Sequence, residues 1–139
     1  MATTIRPELS TKNKYHIDKH RYYELKHFCL QYKTFKKTYE ALNDLSIATS
    51  SLERFPSSNV HTSLTEKCAM RKAYYGSKIK IIEKAAMDAD EYLYEYILRA
   101  VTENLSYTYL KTQMNIPCSR DTYYDRYRKF FWILSEIRD

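Results

Sequence analysis

The chain is poor in residues that interrupt helices, with one glycine and three prolines among 139 residues. A single glycine leaves no phosphate-cradling loop of the Walker or dinucleotide type, because such loops need several positions where backbone amides meet the ligand without a Cβ in the way. Cysteine is scarce as well. Cys29, Cys68 and Cys118 are odd in number and far apart, which argues against a disulfide framework and for a reducing cytoplasm. No apolar run approaches the ~20 residues that span a bilayer, and the first residues lack a basic segment followed by an apolar core, so a soluble chain without membrane or secretion signals is expected. Strand-like alternation is weak, and no repeat of solenoid length recurs. What is abundant is Lys, Glu, Leu and Ala, together with 15 tyrosines. That mixture suits helices joined by short links and predicts an all-α protein of about six helices.

Residues 1–14 are polar and aperiodic and read as a flexible arm. Asp18 can cap a helix running to about Gln31 with an apolar stripe of Tyr22, Leu25, Phe28, Cys29 and Tyr32. Thr34 opens a second helix in which Phe35, Tyr39, Leu42 and Leu45 recur, and 15–45 reads as an antiparallel helical hairpin. The stretch 46–62, rich in Ser, Thr and Asn and containing Pro56, reads as a linker. Residues 63–139 then form a helical domain. Ser63 and Glu66 match a capping box at the start of a long central helix reaching Ala89, with Leu64, Cys68, Tyr75, Ile79, Ile82 and Ala86 on one side and Arg71, Lys72, Lys78, Lys80 and Lys84 largely on others. Gly76 inside that helix costs about 1 kcal/mol and implies a close packing contact. Asp90 caps a further helix from Glu91 to Glu103, and Ser106 caps a short one to Met114.

The formal net charge is +6, which favours a polyanionic partner. Residues 91–139 are balanced, with 7 basic against 7 acidic side chains. If DNA binds, either the amino-terminal half supplies much of the electrostatic attraction or the few basic groups on the last helix are concentrated on one face.

One stretch, 106–138, points to a function. Tyr123, Tyr127, Phe130, Leu134 and Ile137 recur at helical spacing and define a buried face of a last helix starting at Ser119. Asn115 suits a turn that needs positive φ, and Ile116 can plug the space beneath it. Ser119 can cap the last helix and leave free amides for a phosphate, while Arg120, Asp121, Tyr124, Asp125 and Arg128 lie on the other side, able to meet phosphates and base edges if this is the reading helix of a helix-turn-helix. Lys111 stands where a small residue usually lets the two helices approach, so it must reach outward or the crossing must widen. Pro117 and Cys118 lengthen the turn. Among the aromatic residues of the last helix, core packing is favoured over base stacking for those on the stripe, while Tyr124 and Trp132 lie off it and could serve an interface, Trp132 with Phe131 as a dimer contact.

His16 and His20, with His27 and Cys29 further on, lack a second ligand pair of zinc spacing and read as surface histidines, so no metal or other cofactor is expected. Asp88 with Asp90 and Glu91 with Glu95 are explained by caps and solvated faces. No nucleophile has a convincing base, and an enzyme is not expected.

The segments Lys78 to Ala85, Ala89 to Glu103 and Ile116 to Phe131 resemble small proteins of phages and prophages of Gram-positive bacteria, the late-gene transcriptional regulators of the RinA and ArpU type, which end in a helix-turn-helix comparable to region 4 of sigma factors. The resemblance implies double-stranded DNA as partner, the cytoplasm of the host cell as location, and host RNA polymerase or another host protein as a further partner. A symmetric homodimer is expected, since one small reading helix rarely supplies enough specificity alone. Two rival readings stand beside this one. The first is a small phage protein that binds and inhibits a host enzyme or antiviral nuclease, an interaction module able to act as a nucleic-acid mimic, which an acidic surface cluster would favour. The second is a component of phage DNA packaging.

Overall fold

The computed structural model describes residues 13–52 and 59–138, and side chains for 13–47 and 64–138. The flexible arm read in 1–14 lies almost wholly outside these residues, as does 53–58 within the stretch read as a linker. Six helices and no strand are present among the described residues, in the order α1 (Lys19–Leu30), α2 (Tyr32–Leu52), α3 (Asn59–Ala89), α4 (Tyr94–Glu103), α5 (Tyr107–Gln113) and α6 (Arg120–Ile137). The all-α expectation is met. No described helix is long and apolar enough to cross a membrane.

Contacts group the chain into two units, one of residues 13–31 with 81–138 and one of residues 32–80. The sequence pattern paired the first two helices with each other. In the structure α1 packs on α4 and α6, and α2 lies antiparallel to the first part of α3. The antiparallel register follows from the contacts: Cys68 Sγ donates to the Leu42 carbonyl at 3.3 Å, Lys72 Nζ to Asn43 Oδ1 at 2.6 Å, and the rings of Phe35 and Tyr75 lie 6.1 Å apart. Lys72 is thus drawn across to α2 instead of standing on an outer face. Gly76 has the predicted reason, because a Cβ there would meet Cε2 of Tyr39 at 3.1 Å. Leu45 and Leu64, both placed on apolar stripes by their spacing, are 54% and 58% exposed.

Two boundaries differ from the sequence pattern. Helix persists to Leu52 and resumes at Asn59, so the linker of 46–62 is helical at both ends, and Ser63 lies inside α3 instead of capping it. Serine and threonine only mildly disfavour helix, so a stretch rich in them is compatible with helical backbone. The fourth helix begins at Tyr94, not Glu91. Asp90 spends its side chain on a turn, its Oδ1 accepting from the amides of Tyr92 and Leu93 at 2.9 and 3.1 Å.

The larger unit is built on α1, α4 and α6. Asp18 caps α1, accepting from the His20 amide, and Tyr22, Leu25, Phe28 and Cys29 are buried as the stripe predicts. Opposite them are Ile97, Ala100 and Val101 of α4 and Phe130, Phe131 and Leu134 of α6. Arg21 fixes the far end of α6. It donates to Ser135 Oγ at 3.2 Å, to the Ser135 carbonyl at 3.0 Å and to the Arg138 carbonyl, satisfying carbonyls left free where the helix stops. The Arg138 guanidinium covers the Phe28 ring at 4.1 Å.

Candidate nucleic-acid interface

The α5–α6 pair is set by short-range chemistry. Asn104 ends α4 at φ 56°, and the Leu105 amide donates back to the Ala100 carbonyl at 3.0 Å, the long bond of a Schellman turn. Ser106 then caps α5, its Oγ accepting from the Tyr109 amide at 3.2 Å. After Gln113 the chain reverses at Asn115, φ 59°, and the Ile116 amide folds back to the Leu110 carbonyl at 3.0 Å. Ile116 is fully buried beneath the turn. Ser119 caps α6 through the Thr122 amide at 3.2 Å.

The lengthened turn is braced by a contact that sequence spacing could not show. Tyr107, buried on α5, donates its hydroxyl to the Cys118 carbonyl at 2.6 Å. This bond ties the start of α5 to the residue just before the α6 cap, so Pro117 and Cys118 extend the turn without loosening it. Lys111 is exposed, in line with an outward-reaching side chain.

The candidate reading residues separate into three groups. Ser119, Arg120 and Asp121 are exposed at the start of α6, and the Arg120 guanidinium lies 5.5 Å from the centre of the Tyr107 ring, which steadies it. Asp125 and Arg128 are half-buried. Asp125 is paired with Arg126 at 2.6 Å, and Arg128 Nε is buried with no hydrogen-bond partner among the described residues.

Tyr124 falls in neither group: it is only 8% exposed, so the tyrosine placed on the outward face belongs to the core. Its ring packs against Tyr123 at 5.1 Å and Tyr127 at 6.1 Å. The reason is that α6 buries a wider face than a narrow stripe, because α1, α4 and α5 surround it on more than one side. Phe131 is buried by the same packing, and Ile137, on the predicted stripe, is 36% exposed at the end of the helix. Trp132 stays at the surface with the Tyr15 ring 5.7 Å away.

The aromatic cluster continues into α1. Tyr22 and Tyr127 share a hydroxyl–hydroxyl hydrogen bond of 2.5 Å, and Tyr22 meets Phe131 edge-on at 5.0 Å. Burial pushes the Tyr123 and Tyr127 hydroxyls well above the ordinary value of 10, so both stay protonated under physiological conditions.

Arg126 had no role in the sequence pattern. It donates from Nε to Asp90 Oδ2 at 3.0 Å, tying α6 to the turn before α4. Exposed at the end of α5, in the turn and at the start of α6 are Lys111, Thr112, Gln113, Asn115, Pro117, Ser119, Arg120, Asp121 and Thr122. This surface is polar, carries two cations and one carboxylate, and is rich in side chains that donate and accept hydrogen bonds. No protein-family model, curated protein or solved structure matched the chain in comparison.

Proposed function

We propose that the chain binds double-stranded DNA as a phage-type transcriptional regulator, with the start of α6 entering the major groove. The observation that carries this reading is the exposed first turn of α6, bearing Ser119, Arg120 and Asp121 and held against α5 by a left-handed Asn115 and the Tyr107–Cys118 bond. A reading helix needs that combination, since base edges are met by its first residues and discrimination depends on a fixed approach. Arg120 is the residue suited to a guanine edge, Ser119 and the free amides beside it to a phosphate, and Lys111 to the backbone alongside. Asp121 accepts from cytosine or repels other bases. Tyr124, buried in the fold, has no part in the contact.

The test is a mobility-shift titration with mixed-sequence duplex over a range of salt. Arg120→Ala and Lys111→Ala should each weaken binding, the lysine change with the larger loss of salt dependence. Unchanged binding by both variants removes the α5–α6 surface from the interface. The rival reading, a module that binds and inhibits a host enzyme, draws on the near-even charge of the larger unit, where residues 1–31 and 81–139 hold 14 basic against 13 acidic side chains. No duplex binding by the native chain would favour it.

A further inference from the structure

The net charge of +6 is concentrated in one place: residues 32–80 hold nine lysines and arginines against four carboxylates. This is the α2–α3 unit, not the unit that holds the helix-turn-helix. On α3, Lys67, Arg71, Tyr74 and Lys78 follow one another at spacings of four, three and four, which aligns them along one side of the helix. Lys67 and Arg71 are exposed, and so is Tyr74, at 58%. The Tyr74 ring is held in place rather than loose. Lys78 Nζ lies 4.7 Å from its centre, and the Tyr75 ring meets it edge-on at 5.2 Å.

Positions three and four residues from Lys67, Arg71 and Lys78 hold no carboxylate, and Glu66, the one acidic residue of α3 between 64 and 80, projects about 100° from Lys67. The eleven residue steps from Lys67 to Lys78 rise roughly 16 Å along the helix, a length over which duplex DNA presents several phosphates.

We propose that the Lys67–Arg71–Tyr74–Lys78 stripe of α3 is a second nucleic-acid contact, one that holds the sugar-phosphate backbone of a duplex without regard to sequence. This assignment rests on the DNA-binding reading and divides it: α6 supplies discrimination and α3 supplies electrostatic affinity. Charge complementarity selects the occupant. A second copy of the chain would bring two units of net charge +5 together, with Lys67 and Arg71 from each facing like charge. A phosphate backbone gains affinity by releasing its counterions to the same residues.

The experiment compares the full chain with the double variant Lys67→Gln/Arg71→Gln, whose glutamines retain helix propensity, on one fluorescein-labelled duplex of mixed sequence. The slope of log K against log salt should fall by about two, so that a fourfold rise in salt costs the native chain about tenfold more affinity than it costs the variant. A control, Lys19→Gln/Lys129→Gln, removes the same charge outside α2 and α3 and should keep a slope near native. Circular dichroism establishes that each variant is folded. Native binding with an unchanged slope in Lys67→Gln/Arg71→Gln overturns the assignment alone, and is the outcome expected if this side of α3 docks an acidic protein instead. An equal fall in the control overturns it too, by showing that only net charge matters. No duplex binding by the native chain overturns both this assignment and the DNA-binding reading.

Discussion

Asn115 and Asn104 are the two non-glycine residues at positive φ among the described residues, and each stands where one helix ends and the next is aimed. Asparagine tolerates the left-handed region because its short amide can bond locally, whereas a Cβ-bearing apolar residue is crowded there. Asn115→Ala should cost about 1 kcal/mol in urea unfolding and Asn115→Gly should be close to neutral. Equal losses for both would mean that the asparagine side chain matters through a bond of its own and not through backbone conformation.

Residues of this kind were legible from the sequence. Asp18, Ser106, Asn115, Ile116 and Ser119 act within a few positions of themselves, so local chemistry identifies them. Tyr124, Arg126 and Lys72 were not, because their environments are set by Tyr107, Asp90 and Asn43, which lie elsewhere in the chain. Asn104 could have been found by the signal that revealed Asn115, an asparagine directly after a helical apolar stripe.

At the scale of elements, the periodicity of α1 gave its buried face, since a helix covered on one side shows a clean stripe. The same logic under-read α6, whose buried set of Tyr123, Tyr124, Phe130, Phe131 and Leu134 spans a wider arc. It also could not give the partners of α1, since an apolar stripe records that a face is covered but not by what. The α1–α6 contact carries a pH signature. Tyr123 and Tyr127 have values raised above 10 by burial, so in the unfolded chain they lose protons near pH 10 while the native chain keeps them. Above that pH the unfolded state binds fewer protons, and stability falls as pH rises, by about 1.4 kcal/mol per pH unit for each of the two groups. Tyrosinate absorbance should therefore rise in two phases. The tyrosinate signal of Tyr123 and Tyr127 should appear only as helical circular dichroism is lost. Ionisation of every tyrosine near pH 10 with the helices intact would contradict the packing of this cluster.

At the scale of the molecule, shape chemistry and charge are divided between two units. The larger one presents the α5–α6 surface with few net charges, and the α2–α3 unit carries a net charge of +5. The sequence exposed this imbalance only as a neutral carboxy-terminal half, because α3 runs through both units and no linker marks the border. The central claim is that the first turn of α6 reads bases. It is tested most directly by selecting duplexes from a random pool with the native chain and with Arg120→Ala. The native chain should enrich a defined motif, and the variant should lose preference at one or two base pairs of it while the rest persists. No motif from the native chain, or the same motif at full strength from Arg120→Ala, would contradict it.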